Sequence, residues 1–196
     1  MSERLSQIAY ESLSAEVRPM ADYILSISSA GLGGPYNALL RSPVMAQRTL
    51  DLLDYLRFNT SVPKRLNEFA ILIQARISNA QYEWWAHERI ARKAGLSDIV
   101  MNSLRECRRP EGMQADETLV YDFCIQLSLN HRVPDELWAR AVASMGEQQV
   151  IDLVVLSGTY VMVSMLLNAT QVGLPSDDPL PLEVLPAHEI HQRLLA

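Results

Sequence analysis

Only two cysteines occur in the 196 residues, and β-strand signals are nearly absent. No stretch sustains the alternation of β-branched residues, and no Asn-Gly or Asp-Gly hairpin turn appears. Cys107 and Cys124 form no C-x-x-C pair, which excludes the close dithiol of a thioredoxin-like centre. Two soft ligands also fall short of the four in a structural zinc site. Cys107 lies beside Arg105, Arg108 and Arg109, cations able to lower its pKa and make it reactive, but the leading reading of both cysteines is plain free thiols. Cys124 follows Phe123 in an apolar stretch and reads as core. Free thiols suit a reducing compartment, so a cytoplasmic protein is expected. Positive charge is scarce as well: 17 Lys and Arg face 23 Asp and Glu, for a net charge of −6 without a basic cluster. Phosphate backbones demand concentrated positive charge, so no nucleic-acid partner is expected. The opening MSERLSQIAYESLSAE carries charges where an export signal needs an apolar core. No run reaches the roughly 18 apolar residues that span a bilayer. The longest candidate, Val150 to Leu167, is interrupted by Asp152, Ser157, Gly158, Thr159 and Ser164. It reads as a buried helix, and no membrane partner is expected.

What the chain has is apolar residues, 48% of the total, at helical spacing. A chain of this size buries roughly 70% of its unfolded surface and needs no disulfide or metal staple. Leu13-Ser14-Ala15-Glu16 opens a stretch in which Val17, Met20, Ala21, Ile24, Leu25 and Ile27 share a helical face. The glycines and proline of Ala30 to Pro35 then favour a loop. Short helices are expected over Tyr36 to Leu40 and Val44 to Arg57. From Phe69 to Ile77 only Gln74 and Arg76 are polar, so this helix should lie deep. Asn79 offers a break before a helix from Ala80 to Ala94, closed by Gly95. Ser97-Asp98 caps a short helix, Ala115 to Leu129 forms another, and a further one starts after Pro134. Gly146 separates that from a second nearly all-apolar helix, Glu147 to Gln171. The expectation is an all-α single domain over residues 30–175. A helical segment (1–29) precedes it, and a tail (176–196) follows. The proline-rich stretch from Gly173 to Pro186 should wrap over the surface.

The chemistry concentrates around Glu68, Glu83 and His87. Glu83 and His87 stand four apart on one helix and share a face. Glu68 belongs to the preceding helix and approaches His87 if the two pack as an antiparallel hairpin. A carboxylate on one ring nitrogen fixes the imidazole tautomer and leaves the other nitrogen for a substrate, with the second carboxyl group sharing the proton transfer. Two acids and one histidine suit proton abstraction, protonation or decarboxylation of a small organic acid. The same spacing also suits a plain surface pair. A metal is not expected, because one His with two Glu lacks the usual nitrogen ligands and HERIA is not H-E-x-x-H. Arg76, inside the apolar run, either pairs with a structural carboxylate or anchors a substrate carboxylate. Arg41 is a second anion-binding candidate, and Trp84 and Tyr82 are candidate lining residues. His131, His188 and His191 lack such a setting.

Four stretches carry a resemblance: GPYNALLRSP from Gly34, LNEFAILIQAR from Leu66, NAQYEWWAHERIARKAGLSD from Asn79 and YVMVSMLLNA from Tyr160. Together, over roughly residues 30–175, the sequence resembles the carboxymuconolactone decarboxylase family, which also contains the AhpD-type alkylhydroperoxidases. Glu68 and His87 fall where that family places its Glu and His. The resemblance implies an all-α AhpD-like fold, assembly as a trimer or hexamer, and a cofactor-independent lyase or related proton-transfer enzyme acting on a small carboxylated lactone. In the peroxidase branch two redox cysteines occupy the positions of Ala80 and Glu83 here. The departure sets this chain with the decarboxylase-like branch. A non-catalytic oligomeric protein that binds small molecules in the same pocket is the alternative.

Overall fold

From Leu66 to Arg76 every consecutive residue is buried, so the helix that carries them is enclosed on all sides. In the computed structural model, which describes residues 3–175 and 179–195, this is α4, Lys64–Ile77, around which the others pack. The described residues form an all-α protein in the order α1 Arg18–Ile27, α2 Pro35–Leu39, α3 Pro43–Asp54, α4, α5 Gln81–Lys93, α6 Asp98–Arg105, α7 Ala115–Asn130, α8 Asp135–Thr170 and α9 Ala187–Leu195. A π-helical turn, Tyr55–Asn59, extends α3. The largest packing partners of α4 are α5, α8 and α7, and its apolar side chains join theirs in the main core. A smaller core of Met20, Ile24, Tyr36, Leu39, Ala46 and Leu50 binds α1, α2 and α3 together.

Several boundaries differ from expectation for local reasons. The first helix begins at Arg18 rather than Leu13, because Pro19 lacks an N–H and fits best in a first turn. Gly146 does interrupt the long helix: its φ of 79° and ψ of 159° are not helical, and they divide α8 into two segments. By length and composition α8 would suffice to cross a membrane, unlike the expectation from its interrupted apolar run. Its residues Val150, Leu153, Leu156, Tyr160, Val163 and Leu167 are nonetheless buried in the main core.

The tail follows its own domain. Asn79 and Gln81, at the α4–α5 turn, exchange hydrogen bonds with the backbone of Leu185 and Leu182. Both leucines are buried. After Pro186 the chain forms α9, which the proline-rich pattern did not announce, and docks it through Ile190 and Leu194. Residues 1–2 of the expected N-terminal segment, and 176–178 and 196 of the expected tail, lie outside the described residues.

Cys107 and Cys124 are both free and fully buried. The plain free-thiol reading of Cys107 holds, and its activation by neighbouring arginines does not. Burial outweighs Arg76 and Arg193 and raises its pKa, and burial pushes the Cys124 thiol up to about 12. Neither thiol is therefore expected to react with iodoacetamide in native protein at neutral pH, whereas both react in denaturant. Mass spectrometry after a timed pulse checks this, and prompt labelling of native Cys107 would contradict the buried, protonated thiol.

Candidate functional site

The α4–α5 hairpin turns at Asn79, whose φ of 50° is left-handed, and residues on the facing sides of the two helices meet across it. Glu68 and His87 are such a pair. Nδ1 of His87 lies 2.7 Å from Oε2 of Glu68, and Nε2 lies 3.0 Å from Oε1 of Glu83, one helical turn away. Lys64, one turn before Glu68 on α4, ion-pairs with its other oxygen at 2.5 Å. All three members of the Glu68–His87–Glu83 row are buried, Glu68 completely. The expected constellation is thus assembled, with one correction: the second ring nitrogen is held by Glu83 rather than left free.

This correction changes the charge state of the ring. Burial by itself lowers the His87 pKa, but the charges of Glu68 and Glu83 and their hydrogen bonds outweigh it and push the value up to about 9. At neutral pH His87 is an imidazolium that donates its Nδ1–H to Glu68 and ion-pairs through Nε2 with Glu83. Burial likewise acts to raise Glu68, yet His87 and Lys64 together hold its carboxyl below the usual range. The ring of Tyr160 meets His87 edge-on, with centroids 5.2 Å apart and planes at 84°.

The row ends at a cavity of about 510 Å³. His87 and Glu83 line it together with Tyr82, Trp85, Tyr36, Arg57 and Tyr160. Cavities of this size hold a small organic ligand. Tyr82 is where the sequence suggested, and its ring closes over Gly34. A Cβ at Gly34 would stand 2.6 Å from the Tyr82 hydroxyl, and the φ of 63° there also favours glycine.

The other three nominated binding residues lie elsewhere. Trp84 is fully buried, donates its indole N–H to Glu88 and lies under Arg105, so it is core. Its neighbour Trp85 lines the cavity instead, with the Arg89 guanidinium 4.3 Å from the ring centroid. Arg76 forms no ion pair with a carboxylate among the described residues and does not line the cavity. It donates to the carbonyls of Arg105 and Glu183 and to the side chain of Asn79, fastening the tail to the hairpin. Arg41 donates to Asn37 and to the Ser6 carbonyl, tying the N-terminal segment to α2.

Sequence reasoning missed Arg57, Tyr36 and Tyr160. Arg57 stands in the π-helical turn, an irregularity often found at functional sites. The turn is fixed from below by Asp152 of α8, whose carboxylate accepts hydrogen bonds from Tyr55, Thr60 and both the backbone and hydroxyl of Ser61. Among the described residues, no group of three or more His, Cys, Asp or Glu side chains is arranged to hold a metal. The fold and site define an all-α protein with a carboxylate-flanked buried histidine opening on a cavity. No protein-family description matches this chain, and a search of curated proteins finds no match.

Proposed function

We propose that this protein is a cofactor-independent proton-transfer enzyme, a carbon–carbon lyase of the carboxymuconolactone decarboxylase kind, acting on a small carboxylated organic acid. One observation carries the reading: both ring nitrogens of a buried histidine are held by carboxylates, and His87 and Glu83 open on a cavity of ligand size. A bound acid loses CO2, and the electron pair of the broken carbon–carbon bond stays on the substrate as a delocalised carbanion. The imidazolium proton passes to carbon through or beside the Glu83 carboxylate, and solvent restores it afterwards. Glu68 and Lys64 do not touch the cavity; they keep the ring oriented and charged.

The reading extends to self-association and to the cytoplasm. Val44, Met45, Leu52, Met162 and Met165 are exposed apolar side chains on α3 and α8, a surface that a second copy would cover. Thiol peroxidase chemistry finds no support in two buried thiols whose pKa values are raised.

The test uses purified protein in D2O with a panel of carboxylated lactones and related acids. We expect one or more to release CO2 and to gain a single deuterium at the carbon that lost it. Saturable binding of such acids with neither event would replace the enzyme with a binding protein.

A further inference from the structure

Arg57 is a cation without a carboxylate. Among the described residues it forms no ion pair within 4.0 Å, although it is largely enclosed beside Phe58. Its Nη1 donates to the Tyr36 hydroxyl oxygen at 2.9 Å, and its Nε is buried with no partner. An enclosed guanidinium with donors to spare is costly unless an anion completes it. Tyr36 accepts that bond, and its own O–H donates to no described residue. Tyr160 is 2% exposed, lines the cavity, and its hydroxyl bonds to no described residue. Three sets of unspent donors therefore face one cavity, beside the His87 ring that Tyr160 touches.

From this geometry we infer that Arg57, Tyr36 and Tyr160 form an oxyanion site. It takes the charged oxygen of a planar enolate, dienolate or phenolate, while the carbon skeleton lies against Tyr82 and Trp85. The anion site itself rests on the cavity; its enolate occupant rests on the proton-transfer reading above. A loss of CO2 or of a proton places negative charge on a conjugated oxygen, and donors fixed in advance stabilise that charge as it develops. Burial raises the pKa of both phenols, Tyr160 well above its ordinary value, so at neutral pH they remain O–H donors. Neighbouring charges are mixed. Glu83 and Glu68 oppose an anion and the His87 imidazolium favours it. Of the other cations on the cavity, Arg89 lies over Trp85 and Arg92 pairs with Asp98 and Glu88, while Lys93 has no ion pair among the described residues. Asp152 holds the turn that presents Arg57, which supplies the rigidity such a site needs.

4-Nitrophenol is a suitable probe, because its absorbance reports whether it is ionised. With the intact protein, below the pH at which the free probe ionises, the bound probe should show the phenolate spectrum. Arg57→Met should weaken phenolate binding by about ten-fold or more, since a charge-assisted pairing is lost. Tyr160→Phe should weaken it less, and it removes a hydroxyl that no described protein group uses, so it carries the test even if Arg57→Met fails to fold. His87→Gln should keep the phenolate spectrum. No phenolate signal in the wild type, unchanged binding in Tyr160→Phe, or loss confined to His87→Gln would overturn the assignment. Phenolate binding without turnover of any acid would sink the proposed reaction and leave this site standing. Turnover without phenolate preference would do the reverse.

Discussion

His87→Gln is expected to lower turnover by about 10²-fold or more, as removal of a general acid commonly does, while circular dichroism shows the helices intact. Glutamine keeps an N–H2 donor between the two carboxylates. Glu68 keeps its ion pair with Lys64 in this variant. Glu68→Gln should cost less, because it removes a group that never meets the substrate. It withdraws one of the two charges that raise the His87 pKa, so the proton donor is lost at lower pH. The basic limb of the rate profile therefore moves toward neutrality. The two substitutions should not add, since both act on one proton transfer, and the double variant should resemble His87→Gln alone. Unchanged turnover in His87→Gln on a substrate the wild type converts would reduce the row to a structural ion network.

Much of this site was legible because helical spacing is rigid. Glu83 and His87 had to share a face at four residues' separation, and Glu68 had to meet His87 once the polar break at Asn79 made a hairpin. The uninterrupted apolar run after Glu68 placed α4 at the centre for the same reason: such a helix has no face to offer water. Misassignments came where a neighbour in sequence points elsewhere. Trp84 and Trp85 differ by about 100° around α5, enough to put one in the core and the other on the cavity, and chemistry alone does not choose between them. Arg76 looked like a ligand anchor because a buried guanidinium needs partners; besides the nearby Asn79 side chain, those partners are the carbonyls of Arg105 and Glu183, 29 and 107 residues away in sequence, which no local pattern announces. Arg57 was hidden by the opposite circumstance. It follows the amphipathic pattern of α3 until the helix widens into a π-turn, and that widening depends on Asp152 of α8. The helix α9 was obscured by the prolines before it, although Ile190 and Leu194 stand four apart.

Stability should fall as pH rises from about 6.5 to about 9.5, an unusual direction for an acidic protein whose carboxylates are mostly ionised across that range. The His87 pKa is raised from 6.5 to about 9 by folding. A group whose folded value is raised contributes stability that is complete below its unfolded pKa and is lost as pH climbs through the folded one. With about 1.36 kcal/mol per pKa unit, the interval corresponds to on the order of 3 kcal/mol for a ring that is almost wholly buried. Glu68 acts at the other end. Its folded pKa lies below 4.5, so its contribution is present above that value and fades only as pH falls further. Both stability contributions are therefore at their full value between about pH 4.5 and 6.5, and the alkaline loss is complete once the imidazolium gives up its proton near pH 9. Thermal midpoints recorded against pH give the stability, and NMR of the imidazole rings gives the cause. Among the described residues His87 is the one histidine held between two carboxylates, and its ring should keep its proton to about pH 9. A His87 ring that titrates below 6.5 would mean that burial has defeated both glutamates, and a neutral imidazole would then have to act as base rather than acid.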